Sequence, residues 1–190
     1  MKSIYLLIAT VALSFNAYPQ TNLSEVRSVN YYGVDFSKVV VYNATESPAN
    51  FIKAFYQINT LILSEPNKYD MSALGKPIDI IDIESVLKLN ENIDEEGLVR
   101  FRTGVNRFDE EQLQAMVGKY NLKEKEGVGL VLIAEQLDKP DATGTFNVVF
   151  FDIATREIIK STRNRGSAGG AGLRNYWANS IAKIIKQSRR

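Results

Sequence analysis

The chain has 190 residues, of which 45% are hydrophobic and 24% charged, with a formal net charge of +1. This is ordinary globular composition, and it excludes collagen-like, coiled-coil-only and wholly disordered chains. Cysteine and histidine are both absent, which removes disulfides, thiolate metal sites and thiol nucleophiles, together with the commonest general base and metal ligand.

In chain order, Met1-Lys2-Ser3 is followed by an apolar run from Ile4 to Leu13 and then by the polar exit Ser14-Phe15-Asn16-Ala17-Tyr18-Pro19-Gln20. One positive charge, a short apolar stretch and small or polar residues after it read as a secretory signal peptide over residues 1–20. The run is too short for a bilayer core, which needs about 20 apolar residues. No cysteine follows it to carry a lipid anchor, so residues 21–190 are expected as one soluble periplasmic or secreted domain.

Thr21 to Asn30 reads as a polar lead, and Tyr31-Tyr32 before Gly33-Val34-Asp35-Phe36 as residues that fold back over a sheet. Val39-Val40-Val41-Tyr42 is a β-branched strand. Ser47-Pro48 supplies an N-cap with proline at the first helical position. Phe51, Ile52, Phe55, Ile58, Leu61 and Ile62 then recur at helical spacing, so Pro48 to about Leu63 is predicted as an amphipathic helix. Ile78 to Ile93 is ambiguous between strand and helix, and a strand followed by a short helix is the reading carried forward. Leu98 to Thr103 alternates, with Val99 and Phe101 on one face, as a half-buried strand does. Asp109-Glu110-Glu111 suits a helix start, and Leu113, Met116, Val117 and Tyr120 form its buried stripe.

Gly129 to Gln136 and Thr145 to Ile153 are apolar on both faces, as central strands are, whereas Glu157 to Arg163 alternates more and reads as nearer an edge. The short Asp152–Glu157 connection predicts a hairpin. A glycine-rich stretch, Gly166 to Gly172, leads into a closing helix from Leu173 to about Gln187, with Trp177 in its core. The expected fold is therefore α+β, or mixed α/β: one mixed sheet with C-terminal antiparallel strands, packed by about three amphipathic helices.

Charge is uneven along the chain. Arg156 to Arg190 holds nine basic residues and one acid, whereas Thr21 to Thr155 holds 13 basic and 21 acidic. Such asymmetry marks either an anion- or nucleic-acid-binding end or a basic helix that packs on, or lies near, acidic helices of the same or a neighbouring subunit, of which the second is expected. For a ligand site, the glycine-rich stretch is the strongest sequence candidate. Its backbone N–H groups and the helix end behind it suit an anion, with Arg163, Arg165, Gly169, Gly170, Gly172 and Arg174 as candidate binding residues. The pattern fits neither a P-loop nor a dinucleotide fingerprint, and a flexible connection is the plainer reading.

Two Ser-x-x-Lys spacings, Ser85–Lys88 and Ser180–Lys183, lack the companion motifs of serine–lysine enzymes. Asp79, Asp82 and Glu84, or Asp94-Glu95-Glu96, offer carboxylates for hydrolysis, but such runs read more simply as solvated helix starts. No motif implies a metal or a cofactor, and export argues against nucleic acid as a partner.

Tyr32-Gly33-Val34-Asp35-Phe36-Ser37, Phe151-Asp152-Ile153-Ala154-Thr155-Arg156 and Gly172-Leu173-Arg174-Asn175-Tyr176-Trp177-Ala178 resemble small exported Bacteroidetes proteins of unknown function. The element order is similar to envelope domains of the TolB N-terminal type, a likeness of topology, and it implies a helix-packed mixed sheet that binds other envelope proteins. The expected function is thus a non-catalytic envelope module that binds a protein partner or itself. The alternative is an anion receptor built on the glycine-rich loop, and after it a carboxylate-dependent hydrolase.

Overall fold

The computed structural model describes residues 21–101 and 104–189; the predicted signal peptide, residues 1–20, lies outside them. Among these residues the chain runs through β1 (Val29–Asp35), β2 (Val40–Tyr42), α1 (Pro48–Ser64), a 3-10 turn (Met71–Leu74), β3 (Ile78–Ile81), α2 (Glu84–Asn90) and α3 (Glu95–Leu98). It continues through β4 (Val99–Arg100), α4 (Glu110–Val117), β5 (Val128–Asp138), β6 (Thr143–Asp152), β7 (Ile158–Ser167) and α5 (Leu173–Ser188). The fold is mixed α/β.

The seven strands form one sheet organised by β5. One side of β5 pairs with β6 along its whole length, antiparallel, from Val128↔Asp152 to Asp138↔Thr143. Its other side is shared by two parallel strands placed end to end, β1 against Gly129–Ile133 and β2 against Gln136–Asp138. β3 flanks β1 and β4 flanks β2, both parallel. β7 pairs antiparallel with β6 and closes the opposite edge.

Alternation in β5 and β6 divides the interior into two cores. Leu130, Leu132, Phe146, Val148 and Phe150 face α1 and α5, where they meet Phe51, Phe55, Ile58, Trp177, Ile181 and Ile184. Val131, Ile133, Val149 and Phe151 face the other way, onto Val86 of α2 and Leu113, Met116 and Val117 of α4. Strands covered on both faces favour apolar residues at successive positions, which explains why Leu130–Ala134 of β5 and Val148–Phe151 of β6 are legible as apolar runs. Capping follows the sequence as well. Ser47 accepts the Asn50 N–H at the start of α1, and Asp109 with Gln112 forms a reciprocal capping box at α4.

β1 is the main correction to the sequence reading. The stretch read as a polar lead and a fold-back becomes a strand between β3 and β5, buried at every position. Tyr31 enters one core and Tyr32 the other. Its polar backbone breaks are satisfied from far along the chain. Asn59 of α1 accepts the Val34 N–H at 2.7 Å and donates to the Val34 carbonyl at 3.0 Å. Asn90 of α2 also donates to that carbonyl, at 3.0 Å, and accepts the Phe36 N–H at 2.7 Å. Gly33, at φ +98°, makes room for this: a Cβ there would stand 2.8 Å from Asn59 Oδ1.

The predicted 98–103 strand is shorter. Only Val99 and Arg100 pair with β2, Phe101 is 73% exposed rather than sharing a buried face with Val99, and Arg102 and Thr103 lie outside the described residues. β7 is longer than predicted and absorbs Gly166 and Ser167. Among the described residues the basic closing helix packs chiefly on α1, β6, β7 and the Met71–Leu74 turn, none of them an acidic helix. Its helical neighbour α1 carries one charged residue, Lys53, because the contact between them is apolar.

Candidate functional site

Gly166 explains how the end of β7 is used. It lies opposite Gly144 on β6, and the two glycines leave a flat patch on which α5 rests through Ser180. A Cβ on Gly166 would stand 2.8 Å from the Ser180 carbonyl carbon and closer still to its oxygen; one on Gly144 would stand 2.6 Å from Ser180 Oγ. Gly166 is therefore a close-packing residue of the helix face.

Strand alternation then sends Arg163 and Arg165 to the opposite face of the sheet, beside their β6 partners Asn147 and Thr145. They line a cleft of about 650 Å³ with Asn43, Gln136, Asp138, Thr145 and Asp141. Gly172 and Arg174 line a different cleft, of about 340 Å³, with Glu46, Asn50 and Lys53. Gly169 donates its N–H to the Tyr176 carbonyl at 3.0 Å, and Gly170 and Gly172 hold φ of +106° and +78°. The structure thus brings Arg163 and Arg165 together, and Gly172 and Arg174 together, but it does not join the six residues in one site.

The cleft beside Arg163 is anchored by a residue that sequence reasoning missed. A bulge in β5 between Ala134 and Gln136 re-aims Glu135, which is fully buried. One carboxylate oxygen accepts from Arg163 Nε at 2.7 Å and Nη2 at 2.6 Å. The other accepts from Asn147 Nδ2 at 3.1 Å and from the Phe108 N–H at 3.3 Å. Asn106 bonds to the Glu135 carbonyl at 2.7 Å, and its N–H to Gln136 Oε1 at 3.0 Å, so residues 106–108 are pinned across the sheet. The available signal was a glutamate ending an apolar strand and an asparagine opening the next. A buried charge so placed needs a partner.

Three of the carboxylates singled out for hydrolysis, Asp82, Glu84 and Asp94, have other employment. Lys123 bonds to Glu84 at 2.8 Å and Asp82 at 3.3 Å, and Lys88 bonds to Glu84 at 2.8 Å. Hydrogen bonds from Lys123 and then Lys88 bring the Glu84 carboxyl down to about 2, which keeps it ionised and unsuited to donate a proton. Asp94 caps α3 through the Glu96 N–H. Asp35 is fully buried at the end of β1, where burial raises its pKa against the opposing bonds from Ser37 and Tyr120. Tyr120 Oη and the Ser37 N–H each reach it at 2.8 Å. Ser180 bonds to the Trp177 carbonyl inside the core, and Ser85 Oγ accepts the Asn121 N–H. Among the described residues no three metal-ligating side chains cluster, and no helix is long and apolar enough to cross a membrane.

Compared with models of known protein families and with curated proteins, the chain matches none.

The longest edge strand among the described residues is β7. Ten residues long, it pairs with β6 alone, and Lys160, Ser161, Thr162 and Arg163 are exposed in succession. Its first residue is capped: the Ile158 N–H donates to Gln114 Oε1 at 3.0 Å, and Gln114 Nε2 bonds to the Arg156 carbonyl at 2.8 Å. Beyond that point the edge carries Lys160, Arg163 and Arg165, charges that deter indiscriminate strand pairing.

Proposed function

We propose that this protein is a non-catalytic, exported module of the cell envelope that docks a protein partner along β7. The observation that carries the reading is the exposed run Lys160–Arg163 in a ten-residue edge strand, backed by a sheet whose neighbouring strands are buried on both faces. An unpaired edge supplies a row of N–H and C=O groups, and an extended segment laid against it gains main-chain hydrogen bonds. The leader-like residues 1–20 and the resemblance to exported Bacteroidetes proteins support the location.

Charge favours another protein over a second copy. Two β7 strands paired antiparallel about Asn164 would set Arg163 opposite Arg165, and like charges in cross-strand positions repel.

The test places a photo-crosslinking residue at Thr162, and at exposed Tyr56 on α1 as control, in combination with Ser161→Pro and Thr162→Pro variants. Successive strand residues direct their N–H groups to opposite sides, so one proline spares the β6 ladder while removing an outward donor. The expected result is a discrete adduct from Thr162, absent from Tyr56 and lost with the ladder-sparing proline. A strict monomer by light scattering that yields no adduct at Thr162 refutes the reading. A dimer with β7-to-β7 adducts replaces it with self-association.

A further inference from the structure

The C-terminal half of α5 presents a second surface, independent of β7. Asn179, Lys183, Lys186 and Arg189 recur at three- and four-residue spacing, so they form one stripe along the helix. Across from them stands Lys68, in the turn that follows α1. Together with Asn67 they border a groove of about 510 Å³ whose floor is Ala182 and Ile185, and no carboxylate lines it. Four cations thus face one groove.

Two of those cations are already engaged at the rim. Arg189 bonds to Asp70 at 3.0 Å, and Lys68 stands 3.8 Å from Glu65. Lys183 and Lys186 make no ion pair among the described residues. Cations near a helix C-terminus complement the macrodipole, which accounts for Lys186 and Arg189. It does not account for Lys183 a turn earlier, nor for Lys68 contributed by another element.

We infer that this groove binds a phosphate-bearing ligand. A phosphate offers three acceptor oxygens and close to two negative charges, so one group can be shared among converging ammonium groups and the side-chain amides of Asn67 and Asn179. Lys183 and Lys186, three residues apart, have Cβ atoms about 5–6 Å apart, a span one such group bridges. A carboxylate brings half the charge and fewer oxygens to the same cations. The chemistry is shared by a soluble phosphate compound and by a phospholipid headgroup.

The test titrates the intact protein with inorganic pyrophosphate, with phosphatidylglycerol–phosphatidylcholine vesicles, with phosphatidylcholine vesicles alone and with a glutamate-rich peptide, following backbone amide shifts. The variant is Lys183→Gln with Lys186→Gln. Both side chains are exposed, so the fold should persist, which circular dichroism checks. Saturable shifts with pyrophosphate at Lys68 and from Asn179 to Lys186, with affinity about tenfold lower in the variant, support the inference and identify a soluble source. Binding to phosphatidylglycerol vesicles alone, lost in the variant, supports it and identifies a headgroup. Absence of binding to both, unchanged binding in the variant, or tighter binding of the glutamate peptide than of pyrophosphate overturns it.

Discussion

Replacing Gly166 with alanine separates a packing glycine from a ligand-binding one. The added Cβ would stand 2.8 Å from the Ser180 carbonyl carbon, where ordinary contact begins at 3.4 Å, so strand and helix must part by at least 0.6 Å along that line. Both are backbone, and no rotamer change relieves the clash. Trp177 and Ile181 flank Ser180 and are fully buried. Their burial is worth about 3–6 kcal/mol together, and a gap of roughly 0.5–1 Å forfeits a quarter to a half of the dispersion contact. The loss is therefore about 1–3 kcal/mol, reduced by roughly 0.5 kcal/mol for the smaller unfolded-state entropy of alanine. A net cost of about 1.5 kcal/mol lowers the urea midpoint by about 0.8 M for a slope of about 2 kcal/mol/M. Gly169→Ala is the control, because a Cβ there meets only Asn179 Nδ2, at 3.5 Å, and should shift stability by no more than about 0.5 kcal/mol. If Gly166→Ala unfolds with the native midpoint, the account of how α5 is seated is wrong.

Three further outcomes are expected. Asn59→Ala orphans the buried Val34 N–H and should cost about 2–4 kcal/mol, from the lost bond and the cavity, with hydrogen exchange at Val34 accelerated beyond that at Leu130; uniform loss of protection across the sheet would contradict this. Asp35 has a folded-state pKa raised by burial, so the folded state holds the extra proton and stability declines as pH rises from the unfolded value toward the folded one. Asp35→Asn should flatten that decline in urea midpoints measured from about pH 4 to 8, and an unchanged slope counts against the assignment. The Glu84 carboxyl should titrate by NMR near 2 and move up toward the usual glutamate range in Lys123→Ala or in high salt, because its ion pairs are exposed and screened; a midpoint already at the usual value in the parent protein would show that these pairs do not form.

Legibility in the sequence tracked how locally each element is determined. α1 and α4 carry caps and apolar stripes within their own residues, and α5 an apolar stripe after Gly172, so their starts at Pro48, Glu110 and Leu173 were readable. β5 and β6 were readable because burial on both faces leaves the apolar runs Leu130–Ala134 and Val148–Phe151. β1 was not, since Asn30, Gly33 and Asp35 look like loop residues until Asn59, Asn90 and Tyr120 supply bonds from 25 to 85 residues away. The same distance effect hid Glu135. Its meaning depends on Arg163 and Asn147, which a strand register brings beside it. Proximity in sequence also misled, because Arg165 and Gly172 are seven positions apart yet line separate clefts.

The buried carboxylates bear on whether this fold performs chemistry or recognition. A general acid or base needs a lone pair or a proton free to meet a substrate, held near an open cleft. Glu135 has both oxygens engaged by Arg163, Asn147 and the Phe108 N–H, and Asp35 has both engaged by Ser37 and Tyr120. Each carboxylate is saturated by donors that fix backbone geometry, Glu135 at the bulge and Asp35 at the break between β1 and β2. The interior polarity therefore goes into holding one sheet in register. Apart from the buried Tyr31 and Tyr69 hydroxyls, Trp177 Nε1 and one Glu46 oxygen, open hydrogen-bonding capacity is found at the periphery, as main-chain edge along β7 and as ammonium groups along α5. Under these proposals both would hold another molecule in place, and replacing Glu135 with glutamine should then alter stability while leaving any binding along α5 unchanged.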